Sequence, residues 1–261
     1  MSDNMTLTYY SLHDDVVAFS TTRHGGCSVG NYSSFNINGY CGDADEAVVC
    51  NRQILCERLG IESNRLVLPH QTHQTEVRQI AEEFFALPER IKKMLLEGVD
   101  AVMTDVKEAS IGVSTADCVP IIIYDQEHHA ACVVHAGWRG TLARIAENAI
   151  KQMALAYKSR PDALRAVIGP SISLEMFEVG DEVYKQFAEA GFHMPDISRH
   201  IDGKWHIDLW QCNKLQLEKC GLMPENIIVS GICTFTQYED YFSARRLGIE
   251  SGRIYTGIVL K

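Results

Sequence analysis

Two histidines and a cysteine, His73, Cys118 and His135, stand where apolar runs of this 261-residue chain end. Imidazole nitrogen and thiolate sulfur form a donor set that Zn²⁺ accepts, and three protein ligands leave one tetrahedral position open for water or substrate. Water held there acidifies to about pH 7, ready to attack an electrophilic carbon. The spacings of 45 and 17 residues match no local zinc pattern, so other readings stand beside this one. His70 competes with His73, because residues three apart on a strand face opposite sides. Cys118 could be a small apolar residue between strands, and His135 a hydrogen-bonded strand-end histidine. Without metal, Cys118 as nucleophile, His135 as base and Asp117 as orienter would make a cysteine hydrolase. A purely structural zinc would need a fourth ligand, and none is evident.

Positioning these residues falls to strands and turns. Residues 16–22 (VVAFSTT) read as a strand, followed by the turn Arg23-His24-Gly25-Gly26. Residues 43–59 carry apolar positions at helical spacing after an acidic start, and Gly60 stops them. Residues 65–68 and 76–78 are short strand-like runs around His70-Gln71-Thr72-His73. Residues 79–98 are helix-prone with Pro88 inside, and 100–104 (DAVMT) form the next strand. The runs 111–114 and 119–124 flank Thr115-Ala116-Asp117-Cys118, a polar patch whose burial needs a reason. Residues 130–134 (AACVV) lead to His135 and the turn Ala136-Gly137-Trp138-Arg139-Gly140. Thr141 is the expected N-cap of the helix that follows, an arrangement that favours an anion. Further on, 166–169, 227–232 and 254–260 read as strands, and 182–190 and 206–220 as helices.

Composition narrows the class. With 46% hydrophobic and 22% charged residues the chain is an ordinary globular protein, and its length suits one compact body. A net charge of -10 argues against nucleic-acid binding. There is neither a secretory signal nor an apolar run of about 18 residues, so the cytoplasm is the expected compartment and no membrane partner is expected. The nine cysteines, at 27, 41, 50, 56, 118, 132, 212, 220 and 233, then read as free thiols.

Two longer strings are more specific. Thr115-Ala116-Asp117-Cys118-Val119-Pro120 and Val134-His135-Ala136-Gly137-Trp138-Arg139-Gly140 closely resemble the YfiH-like family. Phe19-Ser20-Thr21-Thr22-Arg23, Asn36 within Ser33-Ser34-Phe35-Asn36-Ile37, Ile168-Gly169-Pro170, Ser230-Gly231-Ile232-Cys233-Thr234 and Phe242-Ser243-Ala244-Arg245-Arg246 extend the resemblance from about residue 16 to the end. It implies a single catalytic domain over residues 1–261, of mixed α/β (α+β) class, with mixed β-sheets flanked by helices. It also implies metal ligands at His73, Cys118 and His135, choosing His73 over His70. Departures are Gln74, where the family usually has glycine, and Ser171 and Ser173, where many members have cysteine.

The family carries two functional labels: multicopper polyphenol oxidase (laccase), and purine nucleoside phosphorylase with adenosine deaminase activity. Four coppers need repeated His-x-His pairs, and the ten histidines here contain none. One Cys-His₂ site binding Zn²⁺, or Cu²⁺ by its greater affinity, suits the nucleoside label better. The expectation is phosphorolysis of adenosine, inosine or methylthioadenosine, with deamination of adenosine. Asp117, Cys118, His135 and Arg139 are then the catalytic candidates. Arg23 and Arg245, with Arg139, would stabilise phosphate or developing charge, while Asn36 and Asp117 would orient sugar hydroxyls or relay a proton. The nucleobase-deaminase pattern His-x-Glu with Pro-Cys-x-x-Cys is missing.

Overall fold

The longest apolar runs become the centre of the molecule. In the computed structural model, which describes residues 5–261, strands Val119–Asp125 and Ala130–Ala136 pair antiparallel along their whole length. Successive strand side chains face opposite sides. Ile121, Ile123, Cys132 and Val134 therefore enter one core layer, and Ile122, Tyr124, Ala131 and Val133 another. Burial on both faces removes any need for polar alternation, which is why these runs are apolar throughout.

Both strands lie within a six-stranded sheet ordered Ile227–Val229, Leu164–Ile168, Val119–Asp125, Ala130–Ala136, Ala101–Thr104, Val77–Gln79. A five-stranded sheet ordered Leu7–Tyr10, Val16–Thr21, Ile254–Leu260, Ser110–Thr115, Leu66–Val67 packs against one face, its Ile111, Val113 and Ile258 meeting Ile122 and Val133. Helices Ile145–Tyr157 and Leu209–Lys219 cover the other face through Ala149, Met153, Cys212 and Leu217. Helix Asp45–Leu59 covers the outer face of the five-stranded sheet, with Leu55 against Phe19 and Tyr255. Both of these sheets mix parallel and antiparallel pairs, while a small third sheet of Glu178–Val179, Lys204–Ile207 and Ser198–Ile201 is antiparallel throughout. The result is the expected mixed α/β, α+β architecture, layered helix, sheet, sheet, helix.

Three local expectations are corrected. Thr141 is not an N-cap: the chain is already helical over Trp138–Leu142, with Gly137 at the cap position, and Arg144 at φ 64° breaks it before Ile145. The Thr141 hydroxyl instead donates to Ala136 O and accepts from Asn213 Nδ2, tying the turn to helix Leu209–Lys219. His206 lies in strand Lys204–Ile207, and the helix begins at Leu209, where the Asp208 carboxylate accepts from Gln211 N at 2.9 Å. Not all nine cysteines are free, since Cys27 is disulfide-bonded to Cys50. Asn51 accepts from Cys27 N at 2.7 Å and so lays that loop beside the helix that carries Cys50. No helix of the described residues is long and apolar enough to cross a membrane.

Candidate metal centre

Three chain segments deliver His73, Cys118 and His135 to one end of the two packed sheets. Cys118 sits in the crossing from strand Ser110–Thr115 of one sheet to Val119–Asp125 of the other. It follows Asp117, whose φ of 87° makes the tight turn. That carboxylate accepts from Thr234 Oγ1 and Arg245 N, both at 2.7 Å, so Asp117 anchors the turn that presents the thiol. His135 is the penultimate residue of strand Ala130–Ala136 and is 3% exposed. His73 comes from the irregular segment after strand Leu66–Val67, with φ at 63°, a left-handed conformation that a non-glycine residue keeps only when its surroundings impose it.

The candidate donor atoms of the three residues lie within 4.8 Å of one another, and among the described residues no other group of His, Cys, Asp or Glu is gathered this way. The imidazole rings of His73 and His135 meet edge to face, 4.8 Å between centroids. A side chain at Gly137 would intrude: its Cβ would stand 3.0 Å from Cys118 Sγ, 3.1 Å from His73 Cδ2 and 3.7 Å from His135 Nε2. The space bounded by all three side chains is thus kept open by a glycine. One thiolate and two imidazoles with an open side fit Zn²⁺ in a catalytic rather than a closed structural site.

Behind these candidate donors lies Asp100, fully buried. Its Oδ1 is 2.7 Å from His135 Nδ1 and accepts from His73 N at 2.9 Å, while Oδ2 accepts from Gln74 N at 2.8 Å and Thr72 N at 3.3 Å. Burial raises the Asp100 pKa, but these hydrogen bonds and the His135 charge outweigh it and the net shift is downward. Burial likewise opposes ionisation of Cys118, yet His135 and His73 together hold the thiol down to about 6. Burial lowers His135 and is overcome by Cys118 and Asp100, which hold it up to about 9. Thiolate and imidazolium are therefore the metal-free forms near neutrality. In metal-free protein, iodoacetamide labelling of Cys118 is expected to rise through about pH 6 instead of the usual thiol range of roughly 8.5. Zinc should suppress it. Peptide mass spectrometry resolves the site, and a midpoint above pH 8 would overturn the assignment of a thiolate.

His73, Cys118 and His135 open on a cavity of about 490 Å³, whose wall also carries Asn38, Tyr40, Gln71, Glu250 and Arg253. His70 lines it too, contrary to the alternation expected of a strand, because residues 71–76 are not extended in a regular ladder. Its Nδ1 is held by Glu97 at 2.8 Å and its ring stacks on Tyr40 at 4.2 Å. Gln71 is bonded in both directions to Ser114 and Asn38 donates to Ser114 Oγ, so these amides brace the wall.

None of the remaining predicted residues Arg23, Asn36, Arg139 and Arg245 lines this cavity. Arg139 is exposed with its guanidinium over Trp138, 4.2 Å from the ring centre. Arg245 donates to Glu178 O at 3.3 Å and lies over Phe177, while its neighbour Ala244 is on the cavity wall. Arg23 donates to Ser33 O and Tyr238 O. Asn36, fully buried, donates to Asn38 O and accepts from Arg253 N. Sequence reasoning missed Asp100, Tyr40, Gln71 and Arg253 as residues of the site. For Asp100 a signal existed: an acid immediately before an apolar strand that the fold buries.

The chain is similar over nearly its whole length to known proteins. The family model described as multi-copper polyphenol oxidoreductase laccase matches residues 17–261. A Bacteroides thetaiotaomicron protein named purine nucleoside phosphorylase is 42% identical over 262 residues, covering 99% of this chain and 97% of its own. Adenosine deaminase RL5, from an unknown prokaryotic organism, is 42% identical over 250 residues, covering 95% of each. The crystal structure of the Bacillus licheniformis hypothetical protein YfiH superposes with a TM-score of 0.89 at 26% identity, covering 100% of this chain and 97% of that one.

Proposed function

This chain belongs to the multi-copper polyphenol oxidoreductase laccase family, and we propose that within it the protein is a zinc-dependent purine nucleoside phosphorylase that also deaminates adenosine. The observation that carries this reading is one three-donor group fit for a metal ion, single among the described residues, opening on a cavity of about 490 Å³, a size suited to one small molecule. Four coppers would need several such groups. Two relatives at 42% identity bear the names of the two nucleoside activities, which supports the same choice.

In phosphorolysis a phosphate oxygen bonds to the ribose anomeric carbon as the glycosidic C–N bond breaks, and the departing base takes a proton. In deamination water adds to the purine ring and ammonia leaves. When bound by His73, Cys118 and His135, the metal ion supplies Lewis acidity and an open coordination position. The rest falls to the chain. His135, with Nδ1 held by Asp100, aims Nε2 at the site beside Cys118. Asp117 fixes the turn carrying Cys118 and, through Arg245 N, the segment at the cavity wall. We assign the anionic phosphate to Arg139, two residues after Gly137, and Arg245, next to the wall residue Ala244, whose side chains lie outside the cavity lining and would turn inward to meet it. Arg23 and Asn36 are given the task of shaping the wall, since Asn36 holds Asn38 and Arg253, which do face the cavity. Substrates are the free nucleosides and inorganic phosphate of the cytoplasm. Copper at the same three ligands would account for weak phenol oxidation under the family's other name.

Chelated and zinc-reloaded protein, incubated with adenosine or inosine and phosphate, should release free base and ribose 1-phosphate only after reloading. Phenol turnover with copper, accompanied by no base and no deamination, would overturn the proposal in favour of the oxidase.

A further inference from the structure

We propose that Asp100 is the positioning residue of the metal centre, selecting which nitrogen of His135 faces the ion and fixing the backbone that carries His73. The proposal rests on the metal-site reading and not on the identity of the substrate. One buried carboxylate reaches both arms of the ligand set. Through Oδ1 it engages the His135 ring at 2.7 Å and the His73 amide at 2.9 Å, and through Oδ2 the Gln74 amide at 2.8 Å. The Asp100 carbonyl also accepts from His135 N at 2.8 Å. Bonding at Nδ1 leaves Nε2 as the donor of His135, consistent with its place next to Gly137 and Cys118. The amide bonds explain the left-handed His73: three successive N–H groups, 72 to 74, must curl round one carboxylate.

Charge gives an independent reason. A divalent ion with one thiolate and two neutral imidazoles keeps one excess positive charge. Asp100, fully buried and with no Lys or Arg partner among the described residues, supplies the matching negative charge. Hydrogen bonding to a ligating histidine also raises the basicity of the nitrogen that binds.

The test is zinc competition against a chromophoric chelator with wild type and Asp100→Asn, together with spectra of the Co²⁺-loaded proteins. The amide places a donor against N–H donors, so zinc affinity should fall by about 10–100-fold, and the Co²⁺ bands of whatever protein loads should shift. Should Asp100→Asn not fold, Asp100→Glu, which keeps the charge but moves it, should show the same spectral shift. Nitrogen-15 NMR of histidine-labelled wild type should show His135 protonated at Nδ1 and metal-bound at Nε2. Metal at Nδ1, or equal zinc affinity with unchanged Co²⁺ bands, would overturn the proposal alone. Wild type that takes up no zinc would overturn the metal-site reading itself.

Discussion

Cys118→Ser protein is expected to lose stoichiometric zinc and, with it, roughly a thousand-fold in nucleoside turnover, the several kcal/mol that a Lewis acid contributes to a polar transition state. Serine nearly preserves volume, and Cys118 lies partly exposed at the cavity wall. The anchors of its turn, Thr234 and Arg245 to Asp117, are untouched, so folding should survive. Oxygen in place of sulfur deprives the site of its one anionic donor, leaving two imidazoles that cannot balance a divalent ion. A cysteine nucleophile would also lose activity in this variant, so zinc content is the discriminating measurement. Wild-type zinc uptake by Cys118→Ser would contradict the ligand assignment, and wild-type turnover would contradict the mechanism.

Gly137→Val should be nearly as damaging without touching any ligand. The backbone there is ordinary, φ -64° and ψ 169°, so a side chain brings no conformational strain and its effect is steric. A Cβ alone would sit 3.0 Å from Cys118 Sγ and 3.1 Å from His73 Cδ2, and the two methyls of valine add bulk among the three donors. We expect Gly137→Ala to weaken zinc binding by tens-fold and Gly137→Val to abolish it, with far-ultraviolet circular dichroism unchanged. His73 is exposed and is the ligand with room to retreat, whereas His135 is locked from behind. Full zinc occupancy in Gly137→Val would show that the ion does not lie in the space between these donors.

How much of this was legible before folding differs from residue to residue. The ends of apolar runs located Cys118 and His135, because a polar group at the mouth of a buried strand has to be paired or used. His73 was set against His70 by an alternation rule that holds only for extended chain. The segment is curled by Asp100, so both histidines reach one cavity. Asp100 itself bonds residues 26 to 28 positions before it and 35 after it, and no local spacing encodes that. Strands Ser110–Thr115 and Val119–Asp125 look alike in sequence but belong to different sheets. The packing of the two sheets, and hence the position of the site at their shared end, is a property of the whole fold. The substrate roles of Arg23 and Asn36 rest on the family resemblance, and in the fold these side chains also donate to the backbone carbonyls of Ser33, Tyr238 and Asn38. Gly137 looked like a turn residue, and its second task appears only when three ligands surround it.

The central claim is one metal ion, one site, nucleoside chemistry. It is tested most directly by titrating metal-free protein with zinc while following both bound metal and release of purine base from inosine with phosphate. Activity should rise in proportion to bound zinc and level off at one equivalent per chain. Activity that needs four equivalents of copper, or that is complete before any metal is added, would contradict the account.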